Sequence, residues 1–130
     1  MVRGFVYLWL VAALLLPAQE RRRAPSSEVE VSGFRAERSV SRIHIDGTVR
    51  NTGSAAIDKP LMIFYFVSPD KKVVATRNAP LEVKRLEPGE DAEFMLETAY
   101  PVRASEIRLE AFDSHDRFIK MTNAGPYPIE

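Results

Sequence analysis

The chain has 130 residues, carries 18 basic and 18 acidic side chains for a formal charge of zero, and is 45% hydrophobic. The length favours one domain and the hydrophobic fraction suffices for a core, while the even charge gives no electrostatic basis for nucleic-acid binding. Cysteine is absent, which excludes disulfides, thiolate metal sites, thiol catalysis and an acylated-cysteine lipid anchor.

The first 18 residues have the layout of a secretory signal peptide. Arg3 precedes an uninterrupted apolar run over Phe5–Leu16, and we predict cleavage after Ala18. An uncleaved anchor is the alternative, although the run is shorter than the roughly 20 apolar residues of a membrane span. The arginines at 21–23 oppose simple secretion, because positive charge beyond the apolar run disfavours translocation. On the layout of the first 18 residues we nevertheless expect export to the periplasm, cell envelope or extracellular space.

The body opens with two alternating segments. Glu28–Ser32 alternates polar and apolar residues and predicts a first strand, with Phe34 as a further anchor. Ser41–Asn51 predicts a strand with one wet face, and its inward residues are Ile43, Ile45 and Val49. Gly47 lies on the same inward row, where a missing side chain allows close approach or a bulge.

The central segment is Leu61–Val67, which is apolar at every position. It is rich in aromatic and β-branched residues and is far too short to span a membrane. Such a run predicts a strand that is buried on both faces or nearly so. The prolines and charges on either side of it are typical of gatekeepers against aggregation.

Further short strands follow the central one, separated by turns. We predict them at 73–76, 81–86, 92–97, 106–113 and 118–121. Asn78–Pro80 is expected to interrupt the chain, and Pro88–Asp91 and Asp113–Asp116 have turn chemistry. Short strands with turn signals about every 8–12 residues predict an all-β, immunoglobulin-like antiparallel β-sandwich of about seven strands.

These patterns divide the chain into four parts. We predict a signal peptide at 1–18, a flexible Arg-rich leader at 19–27, an immunoglobulin-like β-sandwich at 28–124 and a C-terminal tail at 125–130. One folded domain is therefore expected after an exported N-terminus.

Two segments of the body, Gly47–Gly53 and Leu86–Phe94, read Gly-Thr-Val-Arg-Asn-Thr-Gly and Leu-Glu-Pro-Gly-Glu-Asp-Ala-Glu-Phe. They resemble the strand and turn motifs Gly-x-Val-x-Asn-x-Gly and Leu-x-Pro-Gly-Glu-x-Ala-x-Phe of FxLYD-type domains, immunoglobulin-like sandwiches of exported bacterial and archaeal proteins. Phe64–Ser68 stands where that family has Phe-x-Leu-Tyr-Asp. The resemblance, over residues 28–123, implies an adhesive or accessory module that brings no catalytic residues.

Candidate chemistry is sparse. His44 and Asp46 share a strand face, but two ligands fall short of the three or four that zinc requires, so an exposed polar row is the competing interpretation. Ser114 beside His115 is adjacency in sequence and does not establish a catalytic triad. No nucleophile motif is present, so we predict that the chain is not an enzyme and has no catalytic, cofactor-binding or metal site.

A surface patch is the strongest functional signal. If Ile107, Leu109 and Ala111 face the core, Phe112 faces out beside the central strand. The outward row of that strand is then either Ile63 and Tyr65 or Met62, Phe64 and Phe66. The last strand adds Ile119 or Met121. We thus expect a partner patch of Ile63, Tyr65, Phe112 and Met121, unless the leader or the tail, through Tyr127 and Ile129, covers it.

The predicted function follows from the patch and the signal peptide. We expect a non-catalytic exported binding or adaptor module that contacts another protein or itself, with no cofactor and no nucleic acid. Membrane contact is expected only if the N-terminal segment is uncleaved. The alternative is a small-ligand or glycan carrier of the cell envelope, although the only tryptophan, Trp9, lies in the signal peptide.

Overall fold

The computed structural model describes residues 26–130. The predicted signal peptide at 1–18 lies outside the described residues, as does the predicted leader at 19–27 except for its last two residues. The described residues form ten strands and no helix. No helix that could cross a membrane is therefore found among them. The strands, in chain order, are β1 (Glu28–Arg38), β2 (Arg42–Asn51), β3 (Ile57–Asp58), β4 (Leu61–Val67), β5 (Val73–Pro80), β6 (Arg85–Leu86), β7 (Asp91–Ala99), β8 (Glu106–Phe112), β9 (Phe118–Thr122) and β10 (Tyr127–Pro128).

Seven strands follow one hydrogen-bonded path in the order β5-β4-β8-β9-β1-β2-β7. β10 pairs with β8, and β3 pairs with β6 in a small separate ribbon. The strands β5, β4 and β8 form one layer of the sandwich, and β1, β2 and β7 form the other. β9 pairs first with β8 and then, from Lys120 to Thr122, with β1, so it passes from the first layer to the second. The all-β, immunoglobulin-like sandwich predicted from the sequence is confirmed, with the refinement that β1 and β9 run parallel while the other pairings are antiparallel.

One core lies between the two layers. The largest fully buried side chains come from both of them and include Ile43, Ile45, Val49, Met62, Phe64, Phe66, Ile107 and Ile119. The outer strands β5 and β7 also approach each other, and the Arg77 guanidinium on β5 donates a hydrogen bond of 3.4 Å to the Thr98 hydroxyl on β7. The sandwich is therefore nearly closed on that side.

Two strands run further than their sequence patterns predicted. β1 continues beyond Ser32 through a bulge, at which Gly33 and Phe34 together face the single residue Gly47 of β2. Gly33 has a φ of 60°, which only glycine adopts readily. β5 continues through Asn78–Pro80, where we expected an interruption. It lies at the end of the strand order, and a proline that lacks an N–H is tolerated on such an edge.

The two segments that carry the family resemblance meet in space. The Asn51 side-chain amide is buried and donates 2.9 Å hydrogen bonds to the carbonyls of Leu86 and Ala55. Gly47 faces the ring of Phe94, and a Cβ at this position would lie 2.8 Å from Phe94 Cε2. The predicted role of Gly47, close approach on the inward row, is confirmed. The amide and the glycine thus tie the end of β2 to β6 and the middle of β2 to β7.

The segment 125–130, predicted as a tail, is hydrogen-bonded into the sandwich. Tyr127 and Pro128 pair with β8 as β10, and the Glu130 carbonyl accepts a 3.0 Å hydrogen bond from the Arg38 amide. The ring of Tyr127 stacks on Phe34 at 4.0 Å between centroids. These residues therefore pack beside the β1 bulge.

Candidate protein-contact face

The central strand β4 presents alternate residues to opposite sides. Met62, Phe64 and Phe66 are buried in the core. Leu61, Ile63 and Tyr65 alternate with them and are only partly buried. Of the two outward rows that the sequence left open, the structure selects Ile63 and Tyr65. The strand, predicted to be buried on both faces or nearly so, is thus fully buried on one side and only partly buried on the other, which points away from the core.

Strand β8 extends this outward row on one side. In the β4–β8 register Leu61 lies opposite Phe112, Ile63 opposite Glu110 and Tyr65 opposite Arg108. Because Ile107, Leu109 and Ala111 are buried, Phe112 faces outward, as expected from the sequence. On its other side β4 is flanked by the polar residues Thr76 and Asn78 of β5. The apolar row thus ends in an aromatic residue and has charged neighbours along β8.

Phe118 completes the aromatic end. Its ring lies edge-on to that of Phe112, with 6.0 Å between centroids and an angle of 74° between planes. Phe118 is 60% exposed, although it is a large hydrophobic residue. We call the outward set Leu61, Ile63, Tyr65, Phe112 and Phe118 the apolar face. Exposed aromatic rings of this kind are enriched where proteins contact one another.

Met121 does not join the other three residues predicted for the patch. It lies opposite Val29 in the β1–β9 register and packs against the core. The reason is the alternation of β9, in which Ile119 is fully buried, so that Met121 points inward and Phe118 outward. The structure therefore brings Ile63, Tyr65 and Phe112 together and supplies Phe118 in the place expected for Met121. From the sequence, alternation places Phe118 on the side opposite to Ile119 and Met121, but the pairing with β8 decides which side is inward.

A hollow of about 470 Å³ adjoins Tyr65. It is lined by Tyr65, Val73, Arg108, Leu109, Glu110, Ala124 and Gly125. The neighbouring carboxylate of Glu110 raises the pKa of Tyr65, and burial acts in the same direction. The hollow therefore offers a phenol, a guanidinium and a carboxylate beside the apolar row.

The tail does not lie over the apolar face. Tyr127 and Ile129, which the sequence suggested as a cover, pack instead against the core. Tyr127 is engaged with Phe34, and the Ile129 amide donates a 3.0 Å hydrogen bond to the Ser105 carbonyl. The leader, the other suggested cover, lies outside the described residues apart from Ser26 and Ser27.

The outer side of the other layer is charged. We call the outward side of β2 and β7 the charged face. Its charged or titratable residues are Arg42, His44, Asp46, Arg50, Asp91, Glu93 and Glu97. His44 Nε2 lies 3.0 Å from Asp46 Oδ2, while its Nδ1 lies 3.9 Å from Glu97 Oε2. Within residues 26–130 no group of three or more His, Asp and Glu side chains is placed to hold a metal ion. His44 thus lies among the carboxylates of a polar network on this face.

The other candidate chemistry is also accounted for by turns. Ser114 Oγ lies 3.4 Å from His115 Nδ1. The neighbouring carboxylate of Asp113 is occupied by the backbone amides of His115 and Arg117 and by the Arg117 guanidinium. Burial of this carboxylate opposes its ionisation, but these hydrogen bonds prevail and lower its pKa. The cluster therefore stabilises the β8–β9 turn.

Comparison with known proteins assigns no family. No family model and no curated protein sequence matches the chain. Among solved structures, IrmA from Escherichia coli is similar with a TM-score of 0.47 and 10% identity, over 82% of this chain and 99% of that one. The resemblance to FxLYD-type domains stays a prediction.

Two β-glucosidases are also similar over part of their length. β-Glucosidase 3B from Thermotoga neapolitana, in complex with glucose, gives a TM-score of 0.45 and 18% identity over 72% of this chain and 17% of that one. A β-glucosidase from Kluyveromyces marxianus gives 0.41 and 18% over 82% and 14%. This chain thus spans only a small part of those enzymes, and the likeness carries no activity to it.

Proposed function

We propose that this chain is a non-catalytic exported module that binds another protein through the apolar face. The observation that carries the proposal is the row of outward apolar side chains on β4, which continues into the ring pair of Phe112 and Phe118. A partly exposed apolar row at the centre of a sheet gains free energy when a partner removes it from water, by about 25 cal/mol for each Å² of apolar area. The charged face has no comparable row.

The export part of the proposal rests on the N-terminal sequence. Its apolar run, basic start and small residue at position 18 are those of a signal peptide. The intact mass of the chain purified from its own host tests this part. A mass that begins at Gln19 is expected, and retention of residues 1–18 would contradict cleavage.

A crosslinking pull-down with a C-terminally tagged chain, expressed in its own host, tests the contact. We expect one dominant crosslinked partner or the chain itself, and we expect Phe118→Ser to remove it. Met95→Ser is the matched control, because Met95 is 62% exposed against 60% for Phe118 and lies on the other layer. Loss of the partner in both variants, or in neither, would contradict binding through the apolar face.

A second candidate function rests on the hollow beside Tyr65. Its phenol, guanidinium and carboxylate could orient a small polar ligand or a glycan, as in a carrier of the cell envelope. A ligand that binds only the folded state raises the unfolding temperature. A screen of soluble glycans against the purified chain should then give a shift that Arg108→Ala abolishes. Absence of any shift would leave protein contact as the function.

A further inference from the structure

The register between β4 and β8 places two different pairs at neighbouring levels of the apolar face. At one level Ile63 lies opposite Glu110, and at the next level Tyr65 lies opposite Arg108. Each level thus combines one large side chain on β4 with one charge on β8. The two charges have opposite sign.

From this arrangement we infer that the partner of the apolar face is a second copy of this chain. The inference rests on the proposed function, because it uses the same face. Consider a two-fold axis in the plane of the interface that crosses the strands between the two levels. It places Arg108 opposite Glu110 of the second copy, and the same contact occurs a second time by symmetry. The same axis places Ile63 on Tyr65 of the second copy.

The charges of the face are suited to this pairing. Arg108 takes part in none of the ion pairs within residues 26–130. Glu110 likewise takes part in none of these ion pairs, and a carboxylate can accept hydrogen bonds from a guanidinium. A second copy therefore supplies to Arg108 the partner that its own sheet does not.

The same two-fold axis also gives the aromatic end of the face a contact in the second copy. Phe112 lies as far from the axis as Glu106 does on the other side, so the two levels face each other. Glu106 holds the Lys71 ammonium at 2.8 Å, which brings a cation close to the ring of Phe112 from the second copy. Cations over aromatic rings attract. Sheets of two copies can therefore pack face to face, at the spacing of about 10 Å found between stacked sheets.

A charge exchange tests the inference by sedimentation velocity of the purified processed chain. We expect the wild type to be a dimer and each of Arg108→Glu and Glu110→Lys to weaken dimerisation by about tenfold or more, because like charges then face each other. The double variant should dimerise again. An equimolar mixture of the two single variants should form a heterodimer, because one chain is acidic at both positions and the other basic at both. Arg50→Glu on the charged face should leave the dimer unchanged.

The outcomes separate this inference from the proposed function. A monomeric wild type, with a different crosslinked protein that Phe118→Ser removes, would overturn self-association and leave the contact face intact. A dimer that neither single variant weakens, or that the mixture does not restore, would overturn the two-fold arrangement. Loss of the circular dichroism of the fold in a single variant is checked separately, and restoration by the double variant then still decides.

Discussion

The two outer faces of the sandwich differ in whether their outward side chains find partners within the chain. On the charged face, neighbouring strands supply each other's partners, with Arg50 Nε at 2.7 Å from Asp91 Oδ1 and Arg42 Nε at 3.5 Å from Glu97 Oε1. On the apolar face, neighbouring strands extend one hydrophobic row and leave Phe118 largely exposed. The first face is complete within the chain, whereas the second gains from a partner.

This difference shows why exposure alone does not identify a contact site. Met95 on the charged face and Phe118 on the apolar face are exposed to almost the same extent, at 62% and 60%. Met95 lies between the carboxylates of Glu93 and Glu97 along β7, while Phe118 contacts another aromatic ring. Isolated surface hydrophobic residues are common, but contiguous ones mark interaction sites.

The largest expected effects are losses in the free energy of unfolding. They should be similar beneath the two faces, because both layers share one core. Phe64 lies beneath the apolar face and Ile45 beneath the charged face, and both are fully buried. We expect Phe64→Ala to lower the free energy of unfolding by about 3–5 kcal/mol and Ile45→Ala by about 2–5 kcal/mol. Urea denaturation measures both. A change in either one no larger than that of a surface substitution would contradict a common core.

A smaller effect is expected at the close approach behind the charged face. A Cβ at position 47 would overlap the ring of Phe94, so Gly47→Ala should lower the free energy of unfolding by about 1–3 kcal/mol. Phe94→Leu in the same background relieves the overlap. The combined loss should therefore be less than the sum of the single losses in a double-mutant cycle. Strict additivity would show that the ring does not limit position 47.

Exchanging apolar and polar outward residues should change dye binding more than the free energy of unfolding. Ile63→Thr keeps a β-branched side chain on β4 and should change the free energy of unfolding by about 0.5–1 kcal/mol. It should reduce binding of the hydrophobic dye ANS, measured at protein concentrations low enough for the chain to be monomeric. Thr48→Val on the outer side of β2 is the reciprocal control and should not reduce it. Equal dye binding by wild type and Ile63→Thr would mean that the apolar face is not accessible.

The smallest effect concerns the acid sensitivity of an ion pair on the charged face. The hydrogen bond from the Arg50 guanidinium lowers the pKa of Asp91 in the folded chain. The resulting stabilisation is complete above the unfolded pKa of about 3.9 and is lost as pH falls through the folded value. Arg50→Gln should therefore raise the pKa of Asp91, as followed by NMR. Ile63→Thr should leave it unchanged, and a shift in both variants would contradict the pairwise cause.

Alternation in the sequence predicted the inward rows of β2 and β8 well. Its failures came where two alternating readings were possible. For β9 the sequence offered Ile119 or Met121 for the patch, but both lie on the inward row, since Ile119 is fully buried opposite Ala111 of β8, and Phe118 is the outward residue. A pairing between strands that are separated by a turn decides which row of a short strand points inward, and a local pattern does not contain it.

Long-range hydrogen bonds were the other feature beyond local patterns. Asn51 looked like turn chemistry, yet its buried amide also binds the Leu86 carbonyl, 35 positions away. The tail likewise looked like a free extension but pairs with β8. In both cases the partner lies far along the chain, so the contact depends on the topology.

The sequence by itself determined the class of fold, because period-two alternation, turn residues and an apolar central strand permit little else. It also determined that the central strand would be hydrophobic on both sides. Only the tertiary structure decided which side of β4 meets the core, which aromatic residues join it, and that Arg108 and Glu110 lie beside it. The physical reason is that exposure and adjacency across strands are set by register, which depends on all strands packing around one core.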